Sequence, residues 1–263
     1  MRAFVKVLPL LILFLFIVPI AARGALFAFE NRATSWRTAD WSSVGMLPQA
    51  AKHPEARILV LSRRTGGLKG LIAVHSWVVF KRAGATSWTR YDVVGWGNPV
   101  RRNGWAADGR WYGDVPVIVA DARGEAAERL LPRIEAAVKD YQYANSGDYR
   151  MWPGPNSNTF VAAVLRAAPE LSATLPPHAI GKDFRDEAFY VGLTDSRTGI
   201  EASLFGVLGV KLGWVEGLEF NFLGLVAGFD LRQPALKLPA FGRLGIDFPV
   251  AAAAAEGKPA PAR

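Results

Sequence analysis

The chain contains no cysteine and only three histidines among 263 residues. Without thiols there is no disulfide framework, no zinc–thiolate site and no cysteine nucleophile. Three histidines far apart, with no H-E-x-x-H, give no metal site, and no phosphate-binding glycine loop follows a strand, so no cofactor is called for. Charged residues make up 21% and hydrophobic residues 51%, a balance that excludes extended disorder outside the C-terminal tail. Lys and Arg exceed Asp and Glu by 31 to 23, a net charge of +8 that suits an anionic partner. The cations are scattered, as at Arg63–Arg64 and Arg101–Arg102, so the footprint of a nucleic-acid module is missing. Arg90, Arg101 and Arg102 are expected on a solvated face.

One long uncharged run is present, from Val7 to Ala22, with Arg2 and Lys6 before it and Arg23 after it. Apolar on every side, it does not suit a core helix. With Met1–Val5 and the uncharged Gly24–Phe29 added, it is long enough for a tilted membrane span. Ala21, Ala22 and Ala25 are small enough for leader cleavage, but Arg23 interrupts the pattern, so a retained anchor is favoured. Positive charge ahead of the run places the N-terminus inside and the remaining chain on the outer, periplasmic side, a single-pass arrangement.

The chain then divides by texture. Residues 1–29 form the anchor or signal segment and 30–56 a linker, with one short helix near Leu47–Lys52. Residues 57–180 form a mixed domain, 181–250 a glycine-rich apolar extension, and 251–263 an Ala- and Pro-rich disordered tail. Strands are expected at Ile58–Leu61, Leu71–Lys81, Trp88–Trp96 and Val115–Ala120, with Gly84 in a hairpin turn. The period changes to 3.6 over Glu125–Tyr143, where Pro132 should kink or restart the helix, and again near Asn158–Ala168. Between Phe189 and Phe248 the glycines and the alternation of LEFNF favour twisted strands, although SLFGVLGVKLGWVEGL also admits a helix. So much exposed apolar surface calls for a membrane or a partner. The fold class is therefore α+β: an antiparallel sheet packed on two helices, a glycine-rich β extension and an N-terminal transmembrane helix.

Chemistry centres on Trp152–Phe160, WPGPNSNTF. Asn156 is a good N-cap, which makes Ser157 the first helical residue, with its hydroxyl at the positive end of the helix dipole. Serine needs a base to act as a nucleophile. His75, in VHSW, is the histidine in a well-structured context, whereas His53 lies in the linker and His178 in the loop LPPHAIG. Asp92 on the adjoining strand is the best group to orient His75, with Asn98 second. The same residues also admit a simpler reading, in which Ser157 or Asn156 caps a helix and His75 bonds within the core.

A strand-borne histidine followed by an N-x-N-T-F helix start resembles the permuted papain-like hydrolases of the PPPDE and NlpC type. Their nucleophile is a cysteine at the position occupied here by Ser157. More narrowly, VHSWVVFK, PGPNSNTF and the ending PALKLPAFGRLG resemble the bacterial domain of unknown function 3750 family, over roughly residues 40–248. The wider resemblance implies a permuted papain-like sheet and a pocket with Ser157, His75 and Asp92 as its catalytic group and Asn156, Asn158, Trp77 and Tyr149 as binding residues. Three functions follow as expectations. The chain is an amide or ester hydrolase acting on envelope material, an inactive module binding an envelope ligand, or a structural membrane protein contacting lipid or partners through its C-terminal region. The partners implied are membrane lipid and an envelope peptide or ester.

Overall fold

The computed structural model describes residues 2–245 except Asn31 and Thr34. The tail 251–263 lies outside the described residues.

At the N-terminus, α1 (Arg2–Ile12) runs through a π-helical turn at Leu13–Ile17 into α2 (Val18–Phe27). The stretch Val7–Phe27, 21 residues, is long and apolar enough to cross a membrane. At 1.5 Å per residue it spans about 30 Å, the thickness of a bilayer's hydrocarbon. Phe16, Pro19 and Arg23 are buried on one side of this helix, at the i, i+3, i+7 spacing of a single stripe.

Five strands follow in one antiparallel sheet: β1 (Arg57–Arg64), β2 (Val74–Lys81), β3 (Thr89–Val93), β4 (Val100–Arg102) and β5 (Val117–Arg123), in the order β4-β3-β2-β1-β5. Sequence patterning missed β4, a three-residue edge strand too short to show a period. Both faces of the sheet are covered, which explains the unbroken apolar runs of β1 and β2. Ile58, Val60, Val78 and Phe80 face α3 (Gly124–Lys139) and α4 (Ser157–Ala167), while Leu59, Leu61, Trp77 and Val79 face a tryptophan cluster. That cluster draws in the segment expected to be a linker: Trp41 lies 5.0 Å from Trp111 and 4.9 Å from Tyr112, ring to ring. Pro132 lies inside α3, which continues past it and ends at Lys139, four residues short of Tyr143.

The C-terminal region is a seven-stranded antiparallel meander from β6 (Phe189–Leu193) through β7 (Gly199–Leu204), β8 (Leu208–Gly213), β9 (Gly217–Phe222), β10 (Leu225–Asp230) and β11 (Ala235–Leu238) to β12 (Gly242–Gly245). The stretch that also admitted a helix is β7–β9. Its polarity is inverted. One row across the sheet pairs Glu201 with Lys211, Lys211 with Glu219, Glu219 with Gly228 and Gly228 with Lys237, and its charged members are all buried. The next row pairs Val191, Ala202, Val210 and Phe220, facing outward. Burying charge is costly unless every charge finds a partner. Here Lys237 reaches over Gly228 to Glu219 at 2.6 Å, Lys182 meets the same carboxylate at 2.6 Å, and Arg185 meets Glu201 at 2.6 Å. Gly228 is required for this: a Cβ there would stand 1.9 Å from the Leu218 carbonyl.

Two contacts knit the meander to the first sheet beside α4. Arg64 donates to the carbonyls of Gly70, Leu71 and Ala240, and the Trp152 indole donates to the Leu223 carbonyl at 2.9 Å.

Candidate functional site

Helix α4 begins as its sequence requires. The Asn156 side chain accepts from the backbone N–H groups of Asn158 (2.8 Å) and Thr159 (3.2 Å), while the Thr159 hydroxyl accepts from the Asn156 N–H at 3.1 Å. This reciprocal cap leaves Ser157 as the first helical residue, and its hydroxyl takes no part in capping. Gly181 is glycine for the same reason: its φ is +92°, and a Cβ would meet the Asn156 amide at 2.2 Å.

The two asparagines expected to bind a ligand both line the cleft that also takes in His75 and Ser157, and their amide N–H groups are used by the fold, while the Asn158 Oδ1 is buried without a partner. Asn156 donates to the carbonyls of Met151 and Ile180, each at 3.0 Å, and Asn158 donates to those of Val74 (3.0 Å) and Ile180 (2.8 Å). The Asn158–Val74 bond joins the start of α4 to the residue preceding His75.

His75 belongs to a buried charge relay. Its Nε2 lies 2.8 Å from Asp92 Oδ1, and Arg90 grips the same carboxylate with two bonds of 2.7 and 2.8 Å. Arg90 is therefore not on a solvated face. It is fully buried, 4.2 Å over the Trp77 ring, and donates to the Ala106 carbonyl. The sequence signal for it is the i, i+2 spacing of Arg90 and Asp92 on one strand, which sets both on one face. Trp111 stacks on the imidazole, with centroids 3.7 Å apart and planes 6° from parallel. Burial, only partly offset by Asp92, lowers the His75 pKa below its ordinary value. Burial would raise the Asp92 carboxyl, but Arg90 and His75 beside it hold it below the usual range. With Nε2–H donated to an ionised Asp92, the Nδ1 of a neutral His75 is a free base.

His75 and Ser157 line one cleft of about 780 Å³, whose walls include Tyr149, Trp152, Gly95 and Tyr112. The Tyr149 phenol is pushed up by burial. The two reach the cleft from different elements, Ser157 from the first turn of α4 and His75 from β2. Val74 and Val78 face the helices, whereas His75 shares the opposite, tryptophan-lined face with Trp77. They meet the cleft where it passes the end of β2, and the Ser157 hydroxyl forms no hydrogen bond with His75. Trp77 is fully buried, bonded to the Ala107 carbonyl at 3.3 Å, and is not part of the cleft wall. Asn98 is likewise absent from the relay. Among the described residues no group of three or more His, Cys, Asp or Glu is placed to hold a metal ion.

Residues 55–184 match the family model described as "Protein of unknown function (DUF3750)". The matched segment is shorter than the 40–248 expected from motifs. It covers β1–β5, α3 and α4, and with them His75, Asp92 and Ser157, but ends before the meander. Neither a curated protein nor a solved structure matches the chain.

Proposed function

We propose that this is a membrane-anchored ligand-binding protein, held by its N-terminal helix with the DUF3750 segment on the outer side, whose cleft recognises an envelope ligand. The observation that carries this is the sealed state of the relay. His75 is 5% exposed, fixed by Asp92 and Arg90 and covered by Trp111, while Ser157, 3% exposed, is presented from the helix side without a bond to it. Such an arrangement makes a rigid cleft wall, with Ser157 and the aromatic side chains of Tyr112, Tyr149 and Trp152 lining the space for a ligand.

A second reading is supported by Ser157 itself. Its hydroxyl, which has no hydrogen-bond partner among the described residues, stands at the start of α4, where backbone N–H groups stabilise developing negative charge, and His75 lines the same cavity. A shift bringing them together would let Ser157 Oγ attack an amide or ester carbonyl, with its proton passing to His75 and then to the leaving group. Water would release the acyl-enzyme by the reverse relay.

Labelling of the full chain with a fluorophosphonate separates the two. Ligand binding alone leaves Ser157 unlabelled, and Ser157→Ala preserves the cellular role. Labelling of Ser157 that disappears in His75→Ala establishes hydrolysis instead. Because the chain has no cysteine, Ser157→Cys also introduces a single thiol. A helix start by itself lowers a thiol's pKa, so the comparison is with the same thiol in a His75→Ala background: alkylation at neutral pH that slows there would place His75 within reach of it, whereas an unchanged rate would keep them apart.

A further inference from the structure

The outward face of the meander is apolar without exception: no outward-facing position of β6–β12 carries a charge. Val191 and Ile200 are 67% and 65% exposed, in a sheet whose opposite face buries lysine and glutamate. A folded chain in water gains nothing from this arrangement, since apolar area is left wet while charges lose their hydration. It is the polarity of a surface bathed in hydrocarbon.

The N-terminal helix lies on this same face. The Phe16 and Phe222 rings meet edge to face at 5.7 Å, the turn Leu13–Ile17 contacts β10, and the small Ala227 beneath is fully buried. Phe16 is about midway along the span Val7–Phe27. From there to Phe27 the helix rises about 16 Å, half the hydrocarbon thickness. A helix cannot cross a bilayer with its middle seated on a sheet unless that part of the sheet is in the bilayer too. The uncovered flank of the helix is also apolar, with Phe14 61% and Ile17 52% exposed, so helix and sheet offer one continuous surface.

The cleft adjoins the second half of the helix, because the turn Gly67–Leu71, whose Gly67 and Lys69 line the cleft, packs on α2, and the cleft rim is aromatic. Trp36, Trp96 and Trp152 line the cleft and are 60%, 54% and 50% exposed, as expected of side chains that settle at a lipid–water boundary. Trp152 is bonded to Leu223, the tip of the β9–β10 turn beside Phe222.

Building on the anchored cleft proposed above, we infer that the outward face of the seven-stranded sheet is seated in the acyl chains of the outer leaflet, the one the N-terminal helix leaves at Phe27, so that the cleft opens at the lipid interface. This narrows the cleft's ligand to a molecule with an apolar part held in the bilayer.

The cysteine-free chain allows a direct test on the full-length protein in phosphatidylethanolamine–phosphatidylglycerol vesicles. Spin labels are attached at Ile200→Cys and Leu236→Cys, on either side of the helix seat, and at Arg129→Cys on α3 as a solvent control. At the two sheet positions collision with oxygen should exceed collision with a water-soluble nickel chelate, and at the control the order should reverse. Sheet labels that behave like the control overturn the inference. So do labels shielded from both reagents and broadened by a neighbouring label, which would mean that a second copy covers the face. For the rim, phospholipids brominated on their acyl chains should quench tryptophan emission, and the quenched fraction should fall in Trp152→Phe and Trp96→Phe. An unchanged fraction removes the rim from the interface. None of these outcomes depends on Ser157 being a nucleophile or on a ligand being bound, so they are independent of the labelling result.

Discussion

Acid stability tests the interior of this protein at His178. The residue lies in the loop between α4 and the meander, and its ring is pressed against Gly242, where a Cβ would stand 2.7 Å from Cε1. Its Nδ1 is buried without a partner. Burial, reinforced by Arg64, Arg23 and Arg63, lowers its pKa from 6.5 to about 3. In the unfolded chain the imidazole titrates normally, so below 6.5 the unfolded state binds more protons than the folded one. The stability this neutral ring preserves is therefore complete above 6.5 and is lost as the pH falls from there towards 3. Between about pH 7 and about pH 5 the loss from this one residue is roughly 2 kcal/mol. It hardly depends on the folded value so long as that stays well below 5. The perturbation is His178→Leu, which fills the site with a group that cannot be protonated. Urea unfolding of the detergent-solubilised protein, followed by tryptophan emission at both pH values, gives the two stabilities. The difference between them should shrink by roughly 2 kcal/mol in the variant. A residual slope of the same sign should survive from His75, also lowered by burial. Equal slopes in both proteins would refute the assignment of a buried, neutral His178.

Two further substitutions probe the interior charges and the meander. Asp92→Asn strips the countercharge from Arg90, which has no exposed surface, and should cost about 3–5 kcal/mol in the same unfolding assay. A loss below about 1 kcal/mol would mean that water reaches the relay. Gly228→Ala drives a methyl into the Leu218 carbonyl beneath the Lys237–Glu219 bridge and should destabilise by about 1–3 kcal/mol, whereas the same change at Gly104, where a Cβ would meet only the Arg101 side chain at 3.5 Å, should be smaller.

Several features were legible because they are local. The uncharged N-terminal run, the cap at Asn156, the amphipathic stripe of α3 and the strands of VHSWVVFK are each written within a few residues. The cap is the clearest case, since an asparagine before S-N-T can satisfy the first free N–H groups without any distant help. Where the site differed from expectation, the cause was register and facing. The sequence placed His75 on a strand and Ser157 on a helix but could not say which face of the sheet each would meet, because a side chain's face depends on pairing set elsewhere. Arg90 was misjudged for a related reason: a guanidinium is normally solvated unless a carboxylate, a carbonyl and an aromatic face converge on it from other segments.

By itself, then, the sequence determined the main segments: one apolar helix, two amphipathic ones and the strands β1, β2, β3 and β5, while β4, the packing of residues 30–56 and the choice of strand over helix in β7–β9 lay beyond it. In the C-terminal region the glycines and the alternation of LEFNF favoured twisted strands without saying which face would be buried. Only the tertiary structure decided that the charged face turns inward, because that choice depends on Lys182, Asp183 and Arg185 arriving from a preceding loop to neutralise it. Period is a property of the strand, but the solvent each face meets is a property of everything packed against it.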